Sequence, residues 1–143
     1  MVGGLAIAHA AAAGLGGAME SVEADRVRFA ARMSSTGAAG YAVHALKMPN
    51  GGVVREFTRP DGMVFAVTWR GPGRPDLHQL LGSLLFDRFQ SDNVMPAGRR
   101  THTPLASDHA DFVVQTGGRP GAFWGVAFLP QAAPSGFSPS SIR

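Results

Sequence analysis

Two glycine-containing turns constrain the fold of this chain more than any other feature of its sequence. They occupy residues 49–52 and 59–62, and they separate three segments rich in β-branched and aromatic residues, at 41–48, 53–58 and 63–69. The Asn-Gly and Asp-Gly dipeptides within these turns tolerate the positive φ angles of tight reversals. Connections this short allow only antiparallel pairing, so the sequence predicts a three-stranded antiparallel meander.

A helical periodicity follows the meander. Leucine and phenylalanine residues recur at intervals of three and four between Leu77 and Phe89, directly after Asp76, which is typical of a helix cap. This pattern predicts one long amphipathic helix packed on the sheet. A short N-terminal helix is predicted over 21–33, because Ser21 can cap it and acidic residues follow. The small and polar residues at 34–40 are expected to end that helix.

The last predicted elements are two strands, at 111–116 and 122–129, joined by a glycine-rich turn at 117–121. Residues 91–107 are expected to form a long loop. The predicted fold is therefore α+β, with an antiparallel sheet built from the meander and a C-terminal hairpin, and with the long helix between them in the chain. We expect one domain over 20–130 and a Pro/Ser-rich tail, extended and only partly ordered, over 131–143.

Composition excludes several classes of function. The chain has 143 residues, 45% of them hydrophobic and 16% charged, which suits a folded domain. It has no cysteine, so it cannot form a disulfide, a thiolate zinc site, an iron–sulfur cluster or a cysteine nucleophile. The net charge is +3 and its cations, almost all arginine, are scattered singly along the chain. Nucleic acid is therefore not expected as a partner.

The first nineteen residues carry no charged side chain and are dominated by alanine and glycine. Such a segment is too poor in large apolar residues to span a membrane, so stable membrane insertion is not expected. Small residues at Ala8 and Ala10, or at Ala11 and Ala13, fit signal-peptidase cleavage. Residues 1–19 are therefore interpreted as a signal-peptide-like segment whose basic start lies upstream of Met1, and the protein as periplasmic or secreted. The alternative is an Ala/Gly-rich terminus of a cytoplasmic protein.

Several short motifs follow one another in a specific order from residue 21 to the C-terminus. They include SVEADR at 21–26, YAVH at 41–44, VVREF at 53–57, PDGMVFAVTW at 60–69, DFVV at 111–114 and AFLP at 127–130. In order and spacing they resemble a bacterial family catalogued as domain of unknown function 2844. The resemblance implies an exported protein and no particular reaction, because the motifs consist of turn and core residues. Arg119 departs from the family pattern, which leads us to expect histidine after the double glycine.

One group of residues has the chemistry of a metal site. His102, Asp108, His109 and Asp111 offer imidazole and carboxylate ligands to a divalent cation. Only His109 and Asp111 have the spacing that places both on one side of a strand. The other interpretation is that these side chains cap loop turns. A metal- or histidine-dependent hydrolase that uses this group is the alternative function.

A second group favours binding. Trp69, Phe123 and Trp124 could form an aromatic binding surface, although core packing is the ordinary role of such residues. Arg55 and Glu56 are neighbours in a strand and must face opposite sides, so one of them points inward or across to Arg70.

The sequence contains no motif of a serine hydrolase. No Gly-x-Ser-x-Gly motif is present, and His44 is interpreted as a hydrogen-bonded histidine of the sheet. No catalytic residue and no cofactor is expected. The leading hypothesis is a non-enzymatic binding or accessory module with an envelope protein as partner; the sequence does not indicate an oligomeric state.

Overall fold

The computed structural model describes residues 14–94 and 104–142, which are organised around a seven-stranded antiparallel sheet. The strands are β1 (Arg32–Ala38), β2 (Tyr41–Lys47), β3 (Val53–Thr58), β4 (Val64–Gly71), β5 (Ala106–Asp108), β6 (Val113–Arg119) and β7 (Ala122–Phe128). Their order across the sheet is β1-β2-β3-β4-β7-β6-β5. The helices are α1 (Met19–Arg28), α2 (Leu77–Leu81) and α3 (Ser83–Asp92), and a 3-10 helix spans Pro139–Ile142. The predicted α+β class and the antiparallel sheet are confirmed.

The predicted strands β2, β3 and β4 pair antiparallel in chain order. Their turns contain Gly51 and Gly62 at φ angles of 87° and 88°, as the turn chemistry requires. The sheet nevertheless has a strand on each edge that the sequence did not predict. β1 begins inside the helix predicted over 21–33, which in fact ends at Arg28, and it runs through the segment expected to end that helix. β5 lies almost entirely in the segment expected to be a loop. Both are short of large apolar residues, which removes the periodic signal of a strand.

The predicted long helix is wrong, because Gly82 divides it into α2 and α3. Gly82 has a φ of 76° and a ψ of 160°, values that cannot continue a helix. The break lets Leu80, Leu81 and Phe89 all reach the core while Leu84 stays 75% exposed. A single straight helix would have placed Leu84 in the same apolar stripe.

The C-terminal hairpin also differs from its prediction. Strand β6 continues through Gly117 and Gly118 to Arg119, so the turn is confined to residues 120–121. The longer strand brings its double glycine beneath the aromatic residues of β7. This placement matters for the site described below.

The sheet is covered on both faces. The helices cover one face, here called the helix face, over a core that includes Val22, Val67 and Phe112. Residues that follow β7 cover part of the other face, here called the tail face. Phe137 makes edge contacts there with Phe65 and Tyr41, at ring-centroid distances of 4.8 and 5.7 Å. The tail is thus packed on the sheet over its described residues, which was not expected from its composition.

Residues 14–17 join the sheet and α2. The Leu15 amide donates to the Leu80 carbonyl at 2.7 Å, and the Gly16 amide donates to the Val64 carbonyl at 2.8 Å. Leu15 is 3% exposed and belongs to the core of the helix face. The folded body therefore begins before α1. None of the helices in the described part of the chain is long and apolar enough to cross a bilayer.

Candidate functional site

The alternation of side chains along β3 separates two charged neighbours. Glu56 points to the helix face and is completely buried, whereas Arg55 is exposed on the tail face. Arg70 on β4 is exposed on the same face as Arg55, because Arg55 pairs with Thr68 and Arg70 lies two residues further along β4. The expectation that one of the two neighbours would point inward is confirmed.

Arg55 and Arg70 line a cleft on the tail face with a volume of about 260 Å³. Thr68 and Gln115 complete its polar wall. Trp124 also lines the cleft, and it pairs in register with Arg70 across β4 and β7. Neither arginine forms an ion pair with any described residue. The cleft therefore presents two uncompensated guanidinium groups, and guanidinium groups bind carboxylates and phosphates through paired hydrogen bonds.

Three other arginines are neutralised by neighbouring carboxylates. Arg26 pairs with Glu23, Arg59 with Asp61 and Arg88 with Asp111. In two of these three pairs the partner is at most three residues away in the chain, so they are local surface pairs. The cleft is different because none of the described residues that line it is acidic.

Trp124 lies flat along the sheet because the residue opposite it is glycine. Trp124 pairs in register with Gly117 on β6, and a Cβ atom on Gly117 would stand 2.8 Å from Cζ2 of the indole. The side chain remains 38% exposed. An indole held open beside two guanidinium groups can stack on the apolar part of an anionic ligand.

The three aromatic residues predicted as a binding surface border one cleft, which has a volume of about 380 Å³. Trp69 is 3% exposed and packs in the core of the helix face. Phe123 lies beneath the guanidinium group of Arg74, which is 4.6 Å from the ring centroid. Of the three, Trp124 is the exposed one, and it also borders the arginine cleft. Sequence reasoning named Trp124 but could not name Thr68 or Gln115 as its neighbours.

Two of the residues proposed to bind a metal, His109 and Asp111, are bonded to other side chains in the structure. His102 lies outside the described residues. Asp111 forms two hydrogen bonds with Arg88, each of 3.0 Å, and these hold the pKa of Asp111 below its usual value. His109 Nε2 lies 2.8 Å from Asp92 Oδ2. Within 14–94 and 104–142, no three His, Asp or Glu side chains are grouped so as to hold a metal ion.

Asp92 instead organises the end of α3 next to β5. Its carboxylate accepts a hydrogen bond from Ser107 Oγ at 2.6 Å as well as contacting His109. These two hydrogen bonds, that of Ser107 first, lower the pKa of Asp92. The contacts of Asp92 with Ser107 and His109 therefore tie the end of α3 to β5 and to the residue that follows it, which is a structural arrangement.

A pair of carboxyl groups is buried between α1 and the sheet. Asp25 on α1 and Glu56 on β3 are both 0% exposed, and Asp25 Oδ1 accepts a hydrogen bond from Gln79 Nε2 at 2.7 Å. Asp25 Oδ2 and both oxygens of Glu56 have no other donor among the described residues. Burial, with the adjacent charge of Asp25, raises the pKa of Glu56 to about 10. Burial also raises the pKa of Asp25. Glu56 is therefore protonated at neutral pH, and its carboxyl O–H can donate a hydrogen bond to Asp25.

His44 has hydrogen-bond partners at both ring nitrogens. Nδ1 lies 2.8 Å from Ser35 Oγ and Nε2 lies 2.9 Å from Thr58 Oγ1. Burial lowers its pKa, so the imidazole is neutral at pH 7. The interpretation of His44 as a hydrogen-bonded histidine of the sheet is confirmed.

Comparison with known protein families assigns the chain to one of them. The profile described as "Protein of unknown function (DUF2844)" matches residues 11–142. The chain belongs to the DUF2844 family. The resemblance found in its turn and core motifs is thereby confirmed, and the match covers every helix and strand described above. No curated protein and no solved structure matches the chain.

Arg119, where the family resemblance led us to expect histidine, lies at the end of β6. Arg119 is exposed, pairs in register with Ala122 and borders the 380 Å³ cleft near Trp124 and Phe123.

Proposed function

We propose that this DUF2844 protein is an exported, non-enzymatic binding module of the bacterial cell envelope that takes up small organic anions. One observation carries the proposal: two arginines that have no carboxylate partner among the described residues lie beside an exposed tryptophan in one cleft of the tail face. Guanidinium groups recognise carboxylate or phosphate oxygens, and the indole of Trp124 offers a stacking surface. A ligand in which an anionic group is joined to an aromatic or other apolar group can bind to the guanidinium groups and to the indole at the same time.

The size and chemistry of the cleft support a small ligand and argue for binding. Its volume of about 260 Å³ lies near the lower limit of small-molecule sites. Thr68 and Gln115 line it, and neither is a general base, while the nearest strongly perturbed carboxyl group, Glu56, points to the opposite face. The module is thus expected to hold its ligand for an envelope partner without transforming it.

Export is the second part of the proposal. It is supported by the Ala/Gly-rich segment with small residues at Ala8, Ala10, Ala11 and Ala13. Cleavage after Ala10 or Ala13 would leave intact every contact described here, since those contacts begin at Gly14.

We expect the mature protein to begin at Ala11 or Gly14 and to fractionate with the periplasm or the medium. N-terminal sequencing of protein recovered from the native host, with the start codon chosen from the genomic sequence, measures this directly. Recovery of an uncleaved chain from the cytoplasmic fraction would contradict export and would leave the cleft proposal standing.

The Arg55→Gln and Arg70→Gln variants are expected to bind phenyl phosphate about tenfold more weakly than the wild type, because each removes a charged hydrogen-bond donor worth about 1.5 kcal/mol. Isothermal titration calorimetry, with the tryptophan fluorescence as a second signal, measures the affinity. Benzyl alcohol tests the charge requirement and inorganic phosphate tests the stacking requirement.

Lys47→Gln is the matched control, since it also removes one exposed cation from the tail face but does not line the cleft. It should leave the affinity unchanged apart from a small long-range effect that salt screens. Equal affinity for phenyl phosphate and benzyl alcohol, or equal losses in all three variants, would contradict the proposed anion site.

A further inference from the structure

The two edge strands of the sheet, β5 and β1, differ in whether their outer backbone groups are covered. At one edge, β5 is three residues long and the side chain of Asn93 covers its first residue, Ala106. Asn93 Nδ2 donates to the Ala106 carbonyl at 3.0 Å, and the Ala106 amide donates to Asn93 Oδ1 at 3.1 Å. The amide side chain thus makes the two bonds that a neighbouring strand would make. This edge is closed to further pairing.

At the other edge, β1 is seven residues long and every residue is exposed. Its pairing with β2 runs without a bulge from Arg32 to Ala38. The strand contains neither proline nor lysine, and its one charge, Arg32, is at its first position. Protected edge strands are short, bulged, charged or covered. By each of these criteria β1 is open among the described residues.

The register shows which groups of β1 are free. The β1–β2 connection has two residues, and Ala38 and Tyr41 form its closing pair. In a hairpin of this kind the closing pair exchanges hydrogen bonds, and bonded and non-bonded pairs then alternate along the ladder. The backbone groups of Met33, Ser35 and Gly37 therefore point away from β2.

We propose that β1 pairs antiparallel with β1 of a second copy of this chain, about a two-fold axis at Ser35. In this register the outward groups of Ser35 meet those of the other Ser35, and those of Met33 meet those of Gly37. About six new backbone hydrogen bonds form, and one continuous sheet crosses both copies. A register centred on Thr36 would instead offer groups already bonded to β2.

The side chains of β1 complement each other in the same register. Met33, which is 38% exposed, comes to lie opposite Gly37, where a Cβ atom would have no neighbour within 4 Å. Ser34 lies opposite Thr36 and can hydrogen-bond across the strands. Arg32 lies opposite Ala38, so the two arginines of the dimer stay at opposite ends of the interface. This self-complementarity favours a second copy over an unrelated strand.

The proposal is independent of the anion cleft. The arginine cleft involves β3, β4, β6 and β7, whereas the dimer uses the free edge of β1. A double variant with Arg55→Gln and Arg70→Gln should lose anion binding and keep the dimer. Failure of one proposal therefore leaves the other open to its own test.

Sedimentation velocity of the full chain, from low micromolar to submillimolar concentration, tests the dimer. We expect a monomer–dimer equilibrium in the wild type, and at least a tenfold weaker dimer in Gly37→Pro, which removes an outward N–H on each copy. Met33→Lys, which places a charge on the open edge, should weaken it similarly. If Gly37→Pro fails to fold, as judged by circular dichroism, Met33→Lys decides the question. A wild type that stays monomeric throughout, or variants that dimerise as strongly as the wild type, would overturn the proposal.

Discussion

The Glu56→Gln variant is expected to be about as stable as the wild type near pH 5 and more stable by about 2 kcal/mol or more at pH 8. The pKa of Glu56 rises from 4.5 to about 10 because the side chain is buried beside Asp25. Between these two pH values the native protein holds a proton that the unfolded chain releases. The free energy of unfolding is therefore highest below about pH 4.5 and falls as the pH rises, by up to about 1.4 kcal/mol per pH unit.

Glutamine removes this dependence because it carries no proton to lose. Its amide can donate to Asp25 Oδ2, which has no other donor among the described residues. The local hydrogen bond is thus kept at every pH, while the cost of ionising a second buried carboxyl group disappears. The direction is opposite to that for carboxylates in surface ion pairs, which stabilise the folded state only when they are ionised.

Urea-induced unfolding between about pH 5 and about pH 9 measures the effect, with the slope of the free energy against pH as the readout. Glu20→Gln on the exposed side of α1 is the control, and its pH profile should run parallel to that of the wild type. Parallel profiles for Glu56→Gln and the wild type would show that Glu56 does not hold its proton in the folded protein.

The Gly125→Ala variant is expected to lose about 3 kcal/mol of unfolding free energy, or to fail to fold. Trp69 on β4 lies opposite Gly125 on β7, and its indole occupies the space where a side chain would begin. A Cβ atom on Gly125 would stand 2.0 Å from Cζ2 and 2.1 Å from Cε2 of Trp69. Because Trp69 is 3% exposed within the core, it has no free direction in which to move.

A double-mutant cycle identifies the cause. Trp69→Leu alone should also cost about 3 kcal/mol, through the cavity it leaves, but combined with Gly125→Ala the total loss should be at least about 1 kcal/mol smaller than the sum. Gly73→Ala is the control glycine, since its new Cβ would meet only the Asn50 amide at 3.6 Å. Additive losses in the cycle would mean that Gly125 is required for its backbone conformation and not for the space it leaves to Trp69.

The sequence predicted most of the sheet, because strand alternation and turn chemistry are local. The Asn-Gly and Asp-Gly turns and the apolar segments beside them located β3 at the correct residues and the ends of β2 and β4 to within two residues. The alternation of Arg55 and Glu56 also predicted that the two side chains would separate. Strand β1 escaped prediction because an exposed edge needs few apolar residues, and the break at Gly82 escaped because glycine is tolerated within helices as well as between them.

The candidate site could be predicted only in part. Trp124 was predicted as a candidate member of an aromatic surface, but its position next to Arg70 depends on the pairing of β4 with β7, two strands separated by both helices of the chain's middle region. Gln115 enters the cleft through the further pairing of β7 with β6. No local pattern encodes the pairing of β4 with β7, because the two strands are far apart in the chain and their pairing depends on the whole fold.

The sequence by itself determined where the chain turns, which residues alternate and which family it belongs to, since turn φ angles and side-chain periodicity depend on neighbouring residues. Only the tertiary structure decided which distant residues meet. It placed two arginines beside Trp124, closed one sheet edge with Asn93 and left the other open, and brought Asp25 against Glu56 in the interior. These contacts depend on long-range strand pairing and helix packing, which minimise the exposed apolar surface of the whole molecule and not that of any one segment.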